Sequence, residues 1–212
     1  MQTAATFWDN AAEKYAKSAI RDPDAYHLTL DRARAHLKPT DHALELGAGT
    51  GGTARLLAPA LAHITATDIA PAMIEIAKQR AADEGTKNAS FITADLEGNL
   101  PDGGPHDVAL AFNLLHLLPN LDSALAHVHD LVKPDGLFIS KTICLAQPGL
   151  ALKFRLMLMA IPVMQWIGKA PYVRKLTIPQ LERTIEAAGF DIIETANYPA
   201  NPPSRFIVAR RR

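Results

Sequence analysis

The chain has a single cysteine, Cys144, among 212 residues. It cannot close an internal disulfide, which excludes a disulfide-stapled scaffold and fits a reducing, cytoplasmic setting. Neither sign of charge is in excess, since Lys plus Arg and Asp plus Glu both number 22. A neutral chain lacks the electrostatic footprint of a nucleic-acid binder. No basic-then-apolar leader opens the sequence, and no internal repeat or low-complexity linker interrupts it. Its most apolar stretch, residues 150–167, is broken by Lys153, Arg155, Pro162 and Gln165, so no integral membrane segment is expected. The eight histidines are scattered and His127-x-His129 reads as the solvent side of a helix, so no metal site is expected. No serine or cysteine has the partner pattern of an activated nucleophile.

The most informative stretch is A-L-E-L-G-A-G-T-G-G at residues 43–52. A short apolar run ends beside an acid, Glu45. A glycine-rich turn containing Gly47, Ala48, Gly49 and Gly51 follows, then a helical pattern led by Ala54, Leu57 and Leu61. A strand, a tight loop and a helix N-terminus cradle nucleotide-like ligands with backbone N–H groups. On glycines alone, Gly47, Gly49 and Gly52 also satisfy G-x-G-x-x-G, with Asp68 at the distance of the dinucleotide acid. Glu45 tips the choice. A carboxylate beside the loop repels a pyrophosphate and attracts an ammonium group. S-adenosylmethionine, with adenosine at one end and an α-amino acid at the other, suits both halves.

Strand and helix patterns alternate along the middle of the chain, which predicts an α/β fold with a mostly parallel, doubly wound sheet. Seven strands are expected, over residues 42–46, 63–67, 89–94, 107–112, 137–141, 190–196 and 205–209. The last two are close in sequence, so the C-terminal strand should run antiparallel. Pro71 and Gly85 bracket one helix, and Leu121, Leu125, Val128 and Val132 mark the apolar face of another. Lys133 to Gly136 reads as a turn, and Thr177-x-x-Gln180 as a capping box. All 212 residues are expected in one domain, with a helical cap over residues 1–40 and a helical insert over 143–176.

With D-I-A-P-A-M at 68–73, A-D-L at 94–96, A-F-N-L-L-H-L-L-P at 111–119 and K-P-D-G at 133–136, the chain resembles a class I S-adenosylmethionine-dependent methyltransferase. Within that Rossmann-like class it is similar to small-molecule enzymes such as the quinone-biosynthesis C-methyltransferases. The resemblance is strong over residues 41–142. It implies that the turn at Gly47–Gly51 faces the methionine part, and that Asp68 holds the ribose hydroxyls. It implies Ile69 and Met73 over the adenine, Asp95 accepting from its amino group with Leu96 against the ring, and Asn113 positioning the methionine end. Asp68 and Asp95 could also cap the elements that follow them.

Two other readings stay open: a nicotinamide-dependent oxidoreductase, and a cofactor-binding protein without chemistry. Against the first, the residues four after Tyr15, Tyr26, Tyr172 and Tyr198 are Ala19, Leu30, Leu176 and Pro202, so no Tyr-x-x-x-Lys pair exists. If the acceptor must lose a proton, His116 is the nearest candidate base; the alternative is a structural histidine inside L-L-H-L-L. Tyr15, Arg21 and Tyr26 are candidates for the acceptor pocket, or simply pack the cap. The insert is apolar on nearly every face over 150–167, so it must be buried or lie at an interface. As a lid it would bring Met157, Met164 and Trp166 over the cleft and favour a lipophilic or aromatic acceptor. The alternative is a contact in a homodimer, or plain core.

Overall fold

A computed structural model describes residues 3–96, 98, 104–147 and 152–212, with the side chains of all of these but 152–157. Two helices come first, α1 (Ala4–Lys17) and α2 (Pro23–Arg34). Then strands and helices alternate: β1 (His42–Leu46), α3 (Gly52–Leu57), β2 (His63–Asp68), α4 (Pro71–Asp83), β3 (Ala89–Thr93), β4 (His106–Phe112), α5 (Leu121–Leu131) and β5 (Val132–Ile143). The chain closes with α6 (Leu152–Trp166), α7 (Ile178–Ala187), β6 (Phe190–Asn197) and β7 (Ser204–Arg211). The seven strands form one sheet in the order β3-β2-β1-β4-β5-β7-β6. All neighbours among β1 to β5 are parallel, and β7 runs antiparallel between β5 and β6.

The central strands are apolar on both faces, as a parallel sheet covered on two sides requires. On one face Ala43, Val108, Leu110 and Ile139 pack beneath Leu30, Leu57 and Ile74 from α2, α3 and α4. On the other, Leu44, Leu46, Ala109 and Phe138 meet Leu125, Val128, Leu181 and Ile185 from α5 and α7. The expected punctuation is present. Pro71 opens α4, Gly85 follows it with φ +69°, and the Thr177/Gln180 capping box is complete. Residues 133–136 are bypassed by the ladder, because pairing with β4 jumps from His106↔Val132 to Val108↔Leu137. Asp135 takes a left-handed φ of +62° there. The strand thus begins earlier than expected, and the turn is a bulge within it.

Helix α1 docks on α4 by named contacts. The Asp9 carboxylate accepts the Ala72 N–H at 2.7 Å, supplying the acceptor that the α4 N-terminus lacks. Arg80 donates to the Ala16 carbonyl at 2.7 Å and to the Thr50 hydroxyl at 2.9 Å, joining α1, α4 and the glycine turn. The end of β5 and the start of α7 are linked by the Ala146 N–H to the Leu176 carbonyl, 2.9 Å.

Helix α6 departs from expectation. Its inner side carries Leu158, which is buried, while Met159 is 73% and Trp166 85% exposed. Apolar composition all round the helix implies burial only where another element is available to cover it. Among the described residues nothing covers its outer face.

Candidate functional site

The parallel strands deliver their C-terminal ends to one edge, where open α/β sheets bind ligands. There β1 runs into a turn in which Gly47, Gly49 and Gly51 have φ of +66°, +53° and +73°. A Cβ at Gly51 would lie 2.7 Å from the Phe91 ring and 2.8 Å from the Ala77 Cβ, so glycine is required for both space and conformation. The turn is held from β2, since the Asp68 carboxylate accepts the Gly49 N–H at 2.8 Å and the Ala70 N–H at 3.0 Å. Burial raises the Asp68 pKa, and the backbone N–H groups of Ala70, Gly49 and Ile69 oppose the rise.

A cavity of about 320 Å³ opens on this edge. Gly47, Gly49, Tyr15, Asn113, Ile69, Met73, Asp95 and Leu96 are among the residues that line it. Asp68 lies on its wall between β2 and α4. Asn113 ends β4 in a left-handed conformation, φ +57°, with its N–H donated to the Lys141 carbonyl at 2.7 Å. The Leu96 carbonyl is bound by His127 Nδ1 at 2.7 Å. His127 is therefore half-buried against the cavity floor, not on the solvent side of α5 as its sequence position suggests.

Glu45 lies beneath the turn and is 2% exposed, without forming the cavity wall. Its carboxyl accepts the Ala54 N–H, but Oε2 is buried with no hydrogen-bond partner among the described residues. Burial pushes its pKa up to about 8, opposed by the Ala54 N–H and reinforced by the charge of Asp68. An orphaned carboxylate oxygen in a dry site is a costly feature that a cationic ligand would relieve.

The remaining sequence candidates divide. Tyr15 reaches the cavity and stands 3.7 Å from the position of a Cβ on Gly49. Tyr26 does not line the cavity; it hydrogen-bonds Thr53 and packs on the core near Glu45. Arg21 is exposed and outside the cavity. His116 sits in the single 3-10 turn Leu115–Leu117 and also lies outside it. Burial pushes the His116 pKa down to about 4, and its Nδ1 has no partner among the described residues. Placed this way it is a packed neutral imidazole, poorly suited to take a proton near neutral pH. Met164 and Trp166 project from α6 into solvent, and the Met157 side chain lies outside the described residues. No described residue of α6 lines the cavity.

Sequence reasoning overlooked Trp8, which lines the cavity from α1 and packs edge-on against Tyr15 at 6.3 Å between ring centres. The signal available was helical spacing, because Trp8, Ala12 and Tyr15 recur at four and three residues along one face. Leu114, Leu117 and Leu118 were also missed; they line the cavity while His116 between them does not.

The Methyltransferase domain family matches residues 44–138, the span that holds the turn, Asp68, Asp95 and Asn113. Methyltransferase calH of Penicillium decumbens is 31% identical over 176 residues, 76% of this chain and 46% of that protein. The hybrid PKS-NRPS synthetase mpsA of Macrophomina phaseolina is 30% identical over 171 residues, 76% of this chain and 4% of the synthetase. The chain thus spans less than half the length of these curated relatives. In fold, it resembles magnesium protoporphyrin IX methyltransferase (ChlM) from Synechocystis PCC 6803 with bound SAH. The TM-score is 0.73 at 17% identity, with 98% of each chain covered. With the glycine turn and both strand-end acids in place around one cavity, residues 44–138 belong to the Methyltransferase domain family.

Proposed function

We propose that this protein transfers the methyl group of S-adenosylmethionine to a small acceptor molecule. The observation that carries the proposal is the buried, unpartnered Glu45 Oε2 beneath a three-glycine turn beside the cavity. A nicotinamide dinucleotide would bring phosphates toward that carboxylate, whereas an amino-acid ammonium completes it. In this reading Glu45 is the charge under the ammonium's seat, and Asn113 fixes the adjacent methionine end. Asp68 accepts from the ribose hydroxyls with the lone pairs left over from Gly49 and Ala70. Asp95 accepts from the adenine amino group, while Ile69, Met73 and Leu96 enclose the ring.

When bound, the cofactor supplies a methyl group on sulfur that is already activated for displacement. The protein's contribution is alignment and exclusion of water. Trp8 and Tyr15 on α1 line the cavity, with Tyr15 beside Gly49, which supports reading residues 1–40 as a cap over the acceptor. The aromatic and leucine-rich lining of the cavity supports a lipophilic acceptor. Cys144 is no rival nucleophile, since burial pushes its thiol up to about 11.

The test is transfer of an isotope-labelled methyl group to a panel of phenols, quinones and polyketide-like compounds, read by product mass. Transfer lost in Tyr15→Ala with cofactor affinity retained is expected if α1 covers the acceptor. Unchanged turnover in that variant would remove α1 from the acceptor site.

A further inference from the structure

The outer face of α6 carries Met159, Val163, Trp166 and Ile167, all exposed. Spaced i, i+4, i+7 and i+8, they form an apolar stripe along the helix and the residue after it, and Met164 is exposed as well. The opposite side turns inward, with Leu158 buried and the Gln165 amide donating to the Pro171 carbonyl at 2.8 Å. A soluble monomer rarely leaves such a continuous apolar stripe uncovered.

Charge says what covers it. From residue 136 to residue 181 the chain has no Asp or Glu, but it holds Lys141, Lys153, Arg155, Lys169, Arg174 and Lys175. In a chain whose charges balance overall, this is a local excess of one sign. Two of the six turn inward: Lys141 is buried, and Arg174 donates to the Leu118 and Pro119 carbonyls. The others flank the stripe in sequence, with Lys153 and Arg155 in the first turn of α6 and Lys169 and Lys175 exposed just beyond its end.

We propose that α6 is an interfacial helix that docks the enzyme on an anionic lipid surface, stripe downward. A helix of 15 residues is about 22 Å long, too short to cross a bilayer. No described helix is long and apolar enough to cross a membrane. Trp166 stands at the helix end nearest Lys169, an amphipathic ring beside a cation, the pairing favoured at membrane–water boundaries. A second copy of the chain is a poorer occupant, because a two-fold contact would set the same cations against each other. The inference holds whichever acceptor is methylated, and its test reads no turnover.

The experiment is co-sedimentation of the full chain with phosphatidylcholine vesicles, with and without phosphatidylglycerol. Binding is expected only to the anionic vesicles, weakening as salt is raised, with a blue shift of the Trp166 emission. Lys169→Glu with Lys175→Glu should weaken binding about tenfold or more. Trp166→Gln with Ile167→Gln should abolish it. These side chains are exposed, and circular dichroism checks that each variant is folded. Absence of binding to anionic vesicles, or equal binding by all variants, overturns the proposal. A dimer in sedimentation that Trp166→Gln with Ile167→Gln dissociates would assign the face to a second copy and overturn it too.

Discussion

Glu45→Gln is the most telling single substitution. In the ligand-free protein the Glu45 carboxyl has a pKa pushed up to about 8 from an ordinary 4.5. A folded-state pKa above the unfolded value means that the native state holds a proton the unfolded chain releases. Glu45 therefore leaves stability intact below pH 4.5 and erodes it as pH rises from 4.5 to about 8. At about 1.4 kcal/mol per pH unit, the full loss is on the order of 5 kcal/mol, or roughly 10–20 °C in Tm. Glutamine keeps the shape and the neutral charge, so the variant should lack this slope and exceed the wild type in stability at pH 8. Thermal unfolding of both proteins from pH 5 to pH 8 measures the difference. Cofactor binding supplies the second reading. At pH 7 the free carboxyl is about nine-tenths protonated. Seating an ammonium above it should expel close to one proton, detected by calorimetry in buffers of different ionisation enthalpy. The variant should expel none and bind S-adenosylmethionine more weakly. Parallel pH–stability curves for wild type and variant would refute the buried-charge argument.

Asp68→Ala should weaken cofactor binding by about 1.5–3 kcal/mol, seen in titration calorimetry. It should also cost about 1 kcal/mol of stability for each backbone N–H it strands, at Gly49 and Ala70, by denaturant unfolding. Gly51→Ala should destabilise by about 2–4 kcal/mol, because its φ is +73° and its new Cβ meets Phe91 and Ala77; a urea midpoint like the wild type's would show the turn to be slack. His116 is held neutral, with its pKa down at about 4 from 6.5, so its contribution is present above pH 6.5 and lost as pH falls toward 4. His116→Gln should flatten that acid limb, by unfolding between pH 4 and 7, and leave methyl transfer intact.

The parallel core was legible because its strands are apolar runs closed by Gly, Asp or Asn, and each closure falls at the ligand edge. Glu45 was legible for the same reason, as an acid inside an apolar strand with no surface to reach. Directions of side chains within short turns were not. L-L-H-L-L carries no period, and the 3-10 turn at Leu115–Leu117 sends His116 away from the cavity while its neighbours line it. His127 was misjudged because α5 has a wide buried face, and the Leu96 carbonyl that claims its ring is remote in sequence. For α6, composition reported apolar surface but not whether anything in the chain reaches it. Burial follows from tertiary neighbours, and among the described residues only the Leu158 side has them.

The most direct test is titration of the protein with S-adenosylmethionine and, separately, with NAD, monitored by calorimetry at neutral pH. S-adenosylmethionine should bind at least about a hundredfold more tightly, a margin of only ~2.7 kcal/mol, and the margin should shrink in Glu45→Gln. Equal or tighter binding of NAD would contradict the reading of the site.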